Sequence, residues 1–162
     1  MQTEPMTQWG FEKIARELEY LKNVERALVA EEIAEARSHG DLSENAEYDA
    51  AKEKQAHLEK RIAGLQDMLS KAQVIDPRLL KHEKVCFGST VKFCNTETEQ
   101  EYCYTIVGAV ESNPSKGLVS FNSPISKVLV GKEEGDVLNI MLPSGSAEIE
   151  IIEVTYIEID FE

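Results

Sequence analysis

The chain has 162 residues, 42% apolar and 29% charged, with 17 basic and 30 acidic side chains for a formal charge of −13. This is the composition of a globular protein of one or two small domains, and no apolar run approaches the ~20 residues that cross a bilayer, so no membrane association is expected. The acidic excess is spread evenly, −6 through Asp76 and −7 beyond it, so neither half has the cationic face that grips duplex phosphates; a protein partner is expected rather than independent DNA binding.

The first ten residues, MQTEPMTQWG, have neither a basic start nor an apolar stretch, which argues against a secretory signal and for a cytoplasmic location. From Thr7 to Arg37 there is no proline and one glycine, Gly10, and Phe11, Ile14, Leu18, Leu21, Val24 and Leu28 recur at spacings of three and four. That stripe predicts an amphipathic helix. A polar break follows at His39-Gly40-Asp41-Leu42-Ser43-Glu44-Asn45. Beyond it Tyr48, Ala51, Gln55, Leu58, Ile62, Leu65, Leu69 and Ala72 keep a strict 3-4 alternation with charges between, the pattern of a coiled-coil seam. Two such helices joined by a few residues must run antiparallel, each about 45 Å long at about 30 residues. Toward the break Ala30, Ala34, Ala36, Ala46, Ala50 and Ala51 replace the leucines, which predicts a narrow end.

The break is therefore a tip, and it carries two carboxylates three residues apart, Asp41 and Glu44. The spacing allows two roles. Asp41-x-x-Glu44 is a capping-box spacing, and acidic groups suit the positive end of a helix, although Ser43 and Asn45 are capable caps as well. The same two carboxylates are hard oxygen donors that Mg²⁺ takes in ones and twos while keeping its waters. In that case a partner must complete the site, because a tip has no walls. Arg37 and Lys52 flank the tip, either as solvated helix charges or to meet phosphates in the partner's pocket.

The helical pattern ends near Val74-Ile75-Asp76-Pro77. After a charged link, Arg78 to Lys84, strands are expected at Thr90–Cys94, Tyr102–Val107, Leu118–Phe121, Val137–Leu142 and Ala147–Val154. Ser123 as N-cap, Pro124 in the first turn and Gly131 past the end predict a short helix between the third and fourth. The expected organisation is an α-helical antiparallel coiled-coil arm over 1–76, a linker over 77–84, and an α+β domain over 85–162 made of five antiparallel strands with one helix. Cys86, Cys94 and Cys103 form no C-x-x-C pair, which predicts reduced thiols rather than disulfides or zinc. No catalytic constellation is expected in this half, where His82 stands in the link without a second histidine.

The run EARSHGDLSENAEYDAAKEKQ resembles the most characteristic motif of the Gre family of bacterial transcript cleavage factors, G-D-L-[SK]-E-N-A-E-Y, and FNSPISKVLVGKEEGD is similar to its second, N-S-P-I followed by L-x-G-K and G-D. The resemblance covers nearly the whole chain, and Leu42 and Glu47 fall with the GreA branch. It implies that the second domain has a fold like that of FK506-binding proteins and docks on bacterial RNA polymerase, while the arm enters the secondary channel. There the tip helps the polymerase hydrolyse the 3′ end of backtracked nascent RNA, so the protein is an accessory factor and not itself an enzyme. The resemblance assigns Asp41 and Glu44 to a Mg²⁺ ion shared with the polymerase, Asn45 and Tyr48 to tip support, and Arg37 and Lys52 to the vicinity of the RNA. Docking falls on Ser123, Pro124, Ile125, Leu129, Gly131, Lys132 and Asp136. Ser43 stands where many members have lysine, which implies a weaker electrostatic contact with RNA. Two other readings compete: a channel-occupying regulator without cleavage activity, and a prolyl isomerase, for which Phe87, Phe93, Tyr102, Tyr104 and Phe121 are too scattered to suggest an aromatic pocket.

Overall fold

The computed structural model describes residues 2–40 and 45–162, which form two compact units. One comprises Phe11–Ala72 and the other Thr3–Gly10 with Gln73–Glu162. Among the described residues no helix is long and apolar enough to cross a membrane.

The first unit is the helical hairpin. Helix α1 (Gln8–Tyr20) passes through a π-helical turn, Leu21–Glu25, into α2 (Arg26–Ser38), and α3 (Ala46–Lys71) returns. The wide turn inserts an extra residue and so rotates the stripe that follows it. In consequence Val24 and Leu28, placed on the seam by simple periodicity, are 40% and 45% exposed, and Val29, Ile33 and Ala36 are buried instead. The α3 seam is as expected except at its end, where Ala72 lies past the helix: Ala51, Ile62 and Leu65 are buried, and Tyr48 and Leu58 pack on Val29, Ile33 and Ala51. Of the alanines near the tip, Ala36 and Ala51 are buried whereas Ala30, Ala34, Ala46 and Ala50 face solvent. Ion pairs cross the hairpin from Arg26 to Glu59 (2.8 Å), Glu32 to Lys54 (2.8 Å) and Glu17 to Arg61 (2.9 Å). All are exposed, so they fix register more than they add stability.

In the second unit β1 (Glu4–Met6) pairs with β2 (Ala72–Val74), so the N-terminal residues counted with the arm by sequence instead join this unit. The first turn of α1 is held by a buried carboxylate. Thr7 donates its amide and its hydroxyl to Glu111 Oε1, and the Gly10 amide donates to Thr7 Oγ1. In the segment read as a linker Pro77 is buried and His82 half-buried while the remaining side chains are exposed; Asp76 caps a 3₁₀ turn, Pro77–Leu79, and pairs with Arg78.

The main sheet holds β3 (Thr90–Asn95), β4 (Glu101–Val107), β5 (Leu118–Ser120), β6 (Val137–Leu142) and β7 (Gly145–Thr155) in the order β5-β4-β3-β7-β6. The strands fall where alternation places them, with one topological correction: β5 runs parallel to β4. The intervening residues form two 3₁₀ turns, Ala109–Glu111 and Pro114–Lys116, rather than a hairpin. They carry the chain back before β5 starts, and Gly117 (φ +72°) makes the final reversal. Opposite Lys92 and Phe93 the register of β7 steps from Glu153 to Ile151. Ile152 is the extra residue of this bulge and is turned outward, 39% exposed. Helix α4 (Pro124–Leu129) covers one face with Leu129, closing a core of Val85, Val91, Phe93, Ile106, Ile140, Leu142, Ile149 and Ile151.

Candidate functional site

The tip is built from the ends of α2 and α3. Helix α2 stops at Ser38; the amide of His39 donates to Ala36 O (3.3 Å) and that of Gly40 to Arg37 O (3.4 Å). Gly40 has φ +108°, a left-handed conformation that closes the helix and favours glycine. Helix α3 starts with Asn45 as its N-cap, in extended conformation, its Oδ1 accepting from the amides of Glu47 (3.0 Å) and Tyr48 (3.1 Å). The other end of the same side chain, Nδ2, donates to Ala36 O at 2.6 Å. One amide therefore caps the returning helix and ties it to the outgoing one. The two residues to which sequence assigns the chemistry, Asp41 and Glu44, lie outside the described residues, as does the capping box they would form.

A second tie crosses the tip, from His39 Nδ1 to Glu47 Oε2 at 2.9 Å. Sequence reasoning missed this pair, whose only signal was an imidazole and a carboxylate at the facing ends of two helices. Arg37 lies with its guanidinium carbon 5.9 Å from the centroid of the Tyr48 ring, a cation–π contact, and Tyr48 in turn packs on the hairpin core. Lys52 donates to Gln55 Oε1 at 2.9 Å. Arg37, Asn45 and Tyr48 are thus brought together, while Lys52 stands one turn further along α3.

The proposed docking residues lie in the second unit. Ser123 Oγ caps α4 by accepting from the Ser126 amide (3.3 Å). Ser126 itself is buried and donates to Ser120 O (2.6 Å). Pro124 is exposed and Ile125 is half-buried, whereas Leu129 is fully buried and so holds α4 in place without meeting solvent. Gly131 and Lys132 are exposed but pinned through their backbones, the Gly131 amide to Val85 O and the Val85 amide to Lys132 O, each at 2.8 Å. Asp136 Oδ2 accepts from the Glu133 amide at 2.9 Å, which closes the turn before β6. Met141 on β6, 71% exposed, extends the apolar surface beside Pro124, Ile125 and Val128 around a shallow depression of about 270 Å³. Strand alternation alone does not single out Met141, because its outward position is the ordinary place for a polar residue.

A family model described as "Transcription elongation factor, N-terminal" matches residues 4–74, and another, "Transcription elongation factor, GreA/GreB, C-term", matches residues 80–156. The chain is 59% identical over its full length to the transcription elongation factor GreA of Helicobacter hepaticus, covering 99% of that protein. It is 55% identical to that of Helicobacter acinonychis with the same coverage. Among solved structures it is similar to the transcription factor Gfh1, 26% identical, covering 95% of this chain and 99% of that one, with a TM-score of 0.45.

Proposed function

The chain belongs to the GreA/GreB family of transcription elongation factors, and from that premise we propose that it stimulates bacterial RNA polymerase to cleave the 3′ end of its own backtracked transcript. The observation that carries the reading is the position of the Gly40-Asp41-Leu42-Ser43-Glu44-Asn45 run. It falls where two paired helices end, and Asn45 and the His39–Glu47 pair tie those ends together. A slender, anchored end bearing two carboxylates suits insertion into a channel already lined by another protein. The factor supplies no pocket of its own there and acts as an accessory, not as the enzyme.

In this reading the second unit docks beside the secondary channel through Ser123, Pro124, Ile125, Gly131, Lys132 and Asp136, with buried Leu129 fixing α4 beneath them. Asp41 and Glu44 offer carboxylate oxygens, a donor set suited to Mg²⁺ held jointly with the polymerase. Such an ion supplies a Lewis acid that lowers the pKa of an attacking water. The side chains of Arg37 and Lys52 set positive charge near the phosphates, where carboxylates alone would be repelled. Tyr48 buttresses Arg37, and Asn45 keeps the two helix ends at one separation. The test is to add the protein to stalled, backtracked elongation complexes: short 3′ RNA fragments are expected to form faster with the factor than without it. Binding to polymerase with no gain in fragment formation would identify a channel-occupying regulator instead.

A further inference from the structure

The segment that precedes β3 gathers three side chains whose chemistry is not apparent in the sequence: His82, Cys86 and Ser89. His82 Nε2 lies 2.6 Å from Pro77 O, and a carbonyl oxygen can only accept, so this nitrogen carries the ring proton and Nδ1 of the neutral imidazole is an acceptor. That acceptor faces Ser89 Oγ at 2.7 Å and Cys86 Sγ at 3.5 Å. Ser89, fully buried, accepts from the Cys86 amide at 3.0 Å and lies 3.5 Å from the sulfur. The Tyr156 ring stacks on the imidazole, with centroids 5.3 Å apart and planes 27° from parallel. Cys86 itself is only half-buried. A thiol, a base at its side and a third group that orients the base are the parts of an activated nucleophile.

We propose that Cys86 is a peroxide-reactive thiol, with His82 as its base and with Pro77 O and the Tyr156 ring holding the imidazole in place. The sulfur attacks one peroxide oxygen; an S–O bond forms as the O–O bond breaks, so that sulfur is oxidised by two electrons and the peroxide reduced. The thiol proton passes to His82 Nδ1 and from there to the departing hydroxide, leaving a sulfenic acid and one water. Ser89 gives its one hydroxyl proton to Nδ1 at rest; once Nδ1 is protonated that hydroxyl is free to donate to the sulfur, 3.5 Å away, as charge develops on it. This site is independent of the tip and of the proposed docking segment's role.

The chain carries its own control. Cys103 is exposed and Cys94 is half-buried, so accessibility alone would make Cys103 the faster thiol. The experiment exposes the full-length protein to hydrogen peroxide with dimedone as the sulfenic-acid trap and follows each cysteine-containing peptide by mass spectrometry. The Cys86 adduct is expected to form about a hundredfold or more faster than that of Cys103, the low side of what a positioned general base supplies. His82→Gln is expected to bring Cys86 down to the rate of Cys103. Faster labelling of Cys103 in the wild-type protein overturns the proposal whether or not that variant folds. An unchanged Cys86 rate in folded His82→Gln overturns it as well.

Discussion

Asn45 is the residue on which the described part of the tip depends most, and replacing it separates its two roles. Asn45→Ala removes the acceptor for the Glu47 and Tyr48 amides and the donor to Ala36 O together. Loss of an N-cap costs about 1 kcal/mol and loss of a hydrogen bond between the helix ends about 1 kcal/mol more. A total near 2 kcal/mol corresponds to roughly thirtyfold more frequent local opening, since about 1.4 kcal/mol is tenfold. Asn45→Asp keeps an oxygen for the cap and loses only the donor, so it is expected to show about half the effect in energy. The assay is native-state amide exchange read at Glu47 and Tyr48, with amides near Leu65, deep in the hairpin, as the reference. Protection is expected to fall at the tip and hold at the reference. Equal protection at Glu47 and Tyr48 in Asn45→Ala and wild type would refute the cap and the tie alike.

Two glycines in α1 and α3 are expected to respond in opposite directions to alanine. A Cβ on Gly64 meets nothing within 4 Å, so Gly64→Ala should raise stability by about 0.5–1 kcal/mol through helix propensity, seen as a higher melting temperature. A Cβ on Gly10 would come 2.5 Å from Glu111 Oε1 and 2.9 Å from Val110 Cγ2, so Gly10→Ala should destabilise by about 1–3 kcal/mol in denaturant titration despite the same propensity gain. Phe93→Ala empties the centre of the sheet unit, where Phe93 is fully buried against Tyr102 and Tyr104, and should cost about 3–5 kcal/mol in the same titration. In the hairpin, the hydrogen bonds from Arg26 hold the Glu59 carboxyl below its usual range against an opposing desolvation effect, with the Arg26 charge adding a smaller lowering. Whatever stability this pair lends is present above the unfolded-state pKa of glutamate and is lost as pH falls through the lower folded value. Arg26→Ala should return the Glu59 midpoint, followed by NMR, to the ordinary range.

The parts of the fold legible in the sequence are those set by local periodicity. Tyr48 to Ala72 announce a helix seam because a strict 3-4 spacing permits only one face, and Ser123-Pro124 announce α4 because cap and first turn are chemically specific. The π-helical turn was not legible in the same way. Val24 and Leu28 fit the stripe of a regular helix as well as Val29 and Ile33 fit the shifted one, and only packing against α3 decides between them. The parallel β4–β5 pair and the β1–β2 ribbon are contacts between distant segments, and no spacing rule encodes those. Within the tip, Asn45 was recognisable as a possible cap, but its donation to Ala36 O required knowing that α2 ends beside it. His82 and Cys86 were visible only as an isolated histidine and an unpaired cysteine, until the turn at Pro77 and the stacking of Tyr156 fixed the ring between them.

The most direct test of the central claim is a Mg²⁺ titration of transcript cleavage in backtracked elongation complexes of a bacterial RNA polymerase, with wild-type protein and with Asp41→Asn/Glu44→Gln. The substitutions keep side-chain shape and remove charge. If the tip donates carboxylates to a shared ion, the wild-type factor should shift half-maximal cleavage to lower Mg²⁺. The variant should bind polymerase equally well and leave the midpoint where it stands without factor. Equal stimulation by the variant and the wild type, at every Mg²⁺ concentration, would contradict the account.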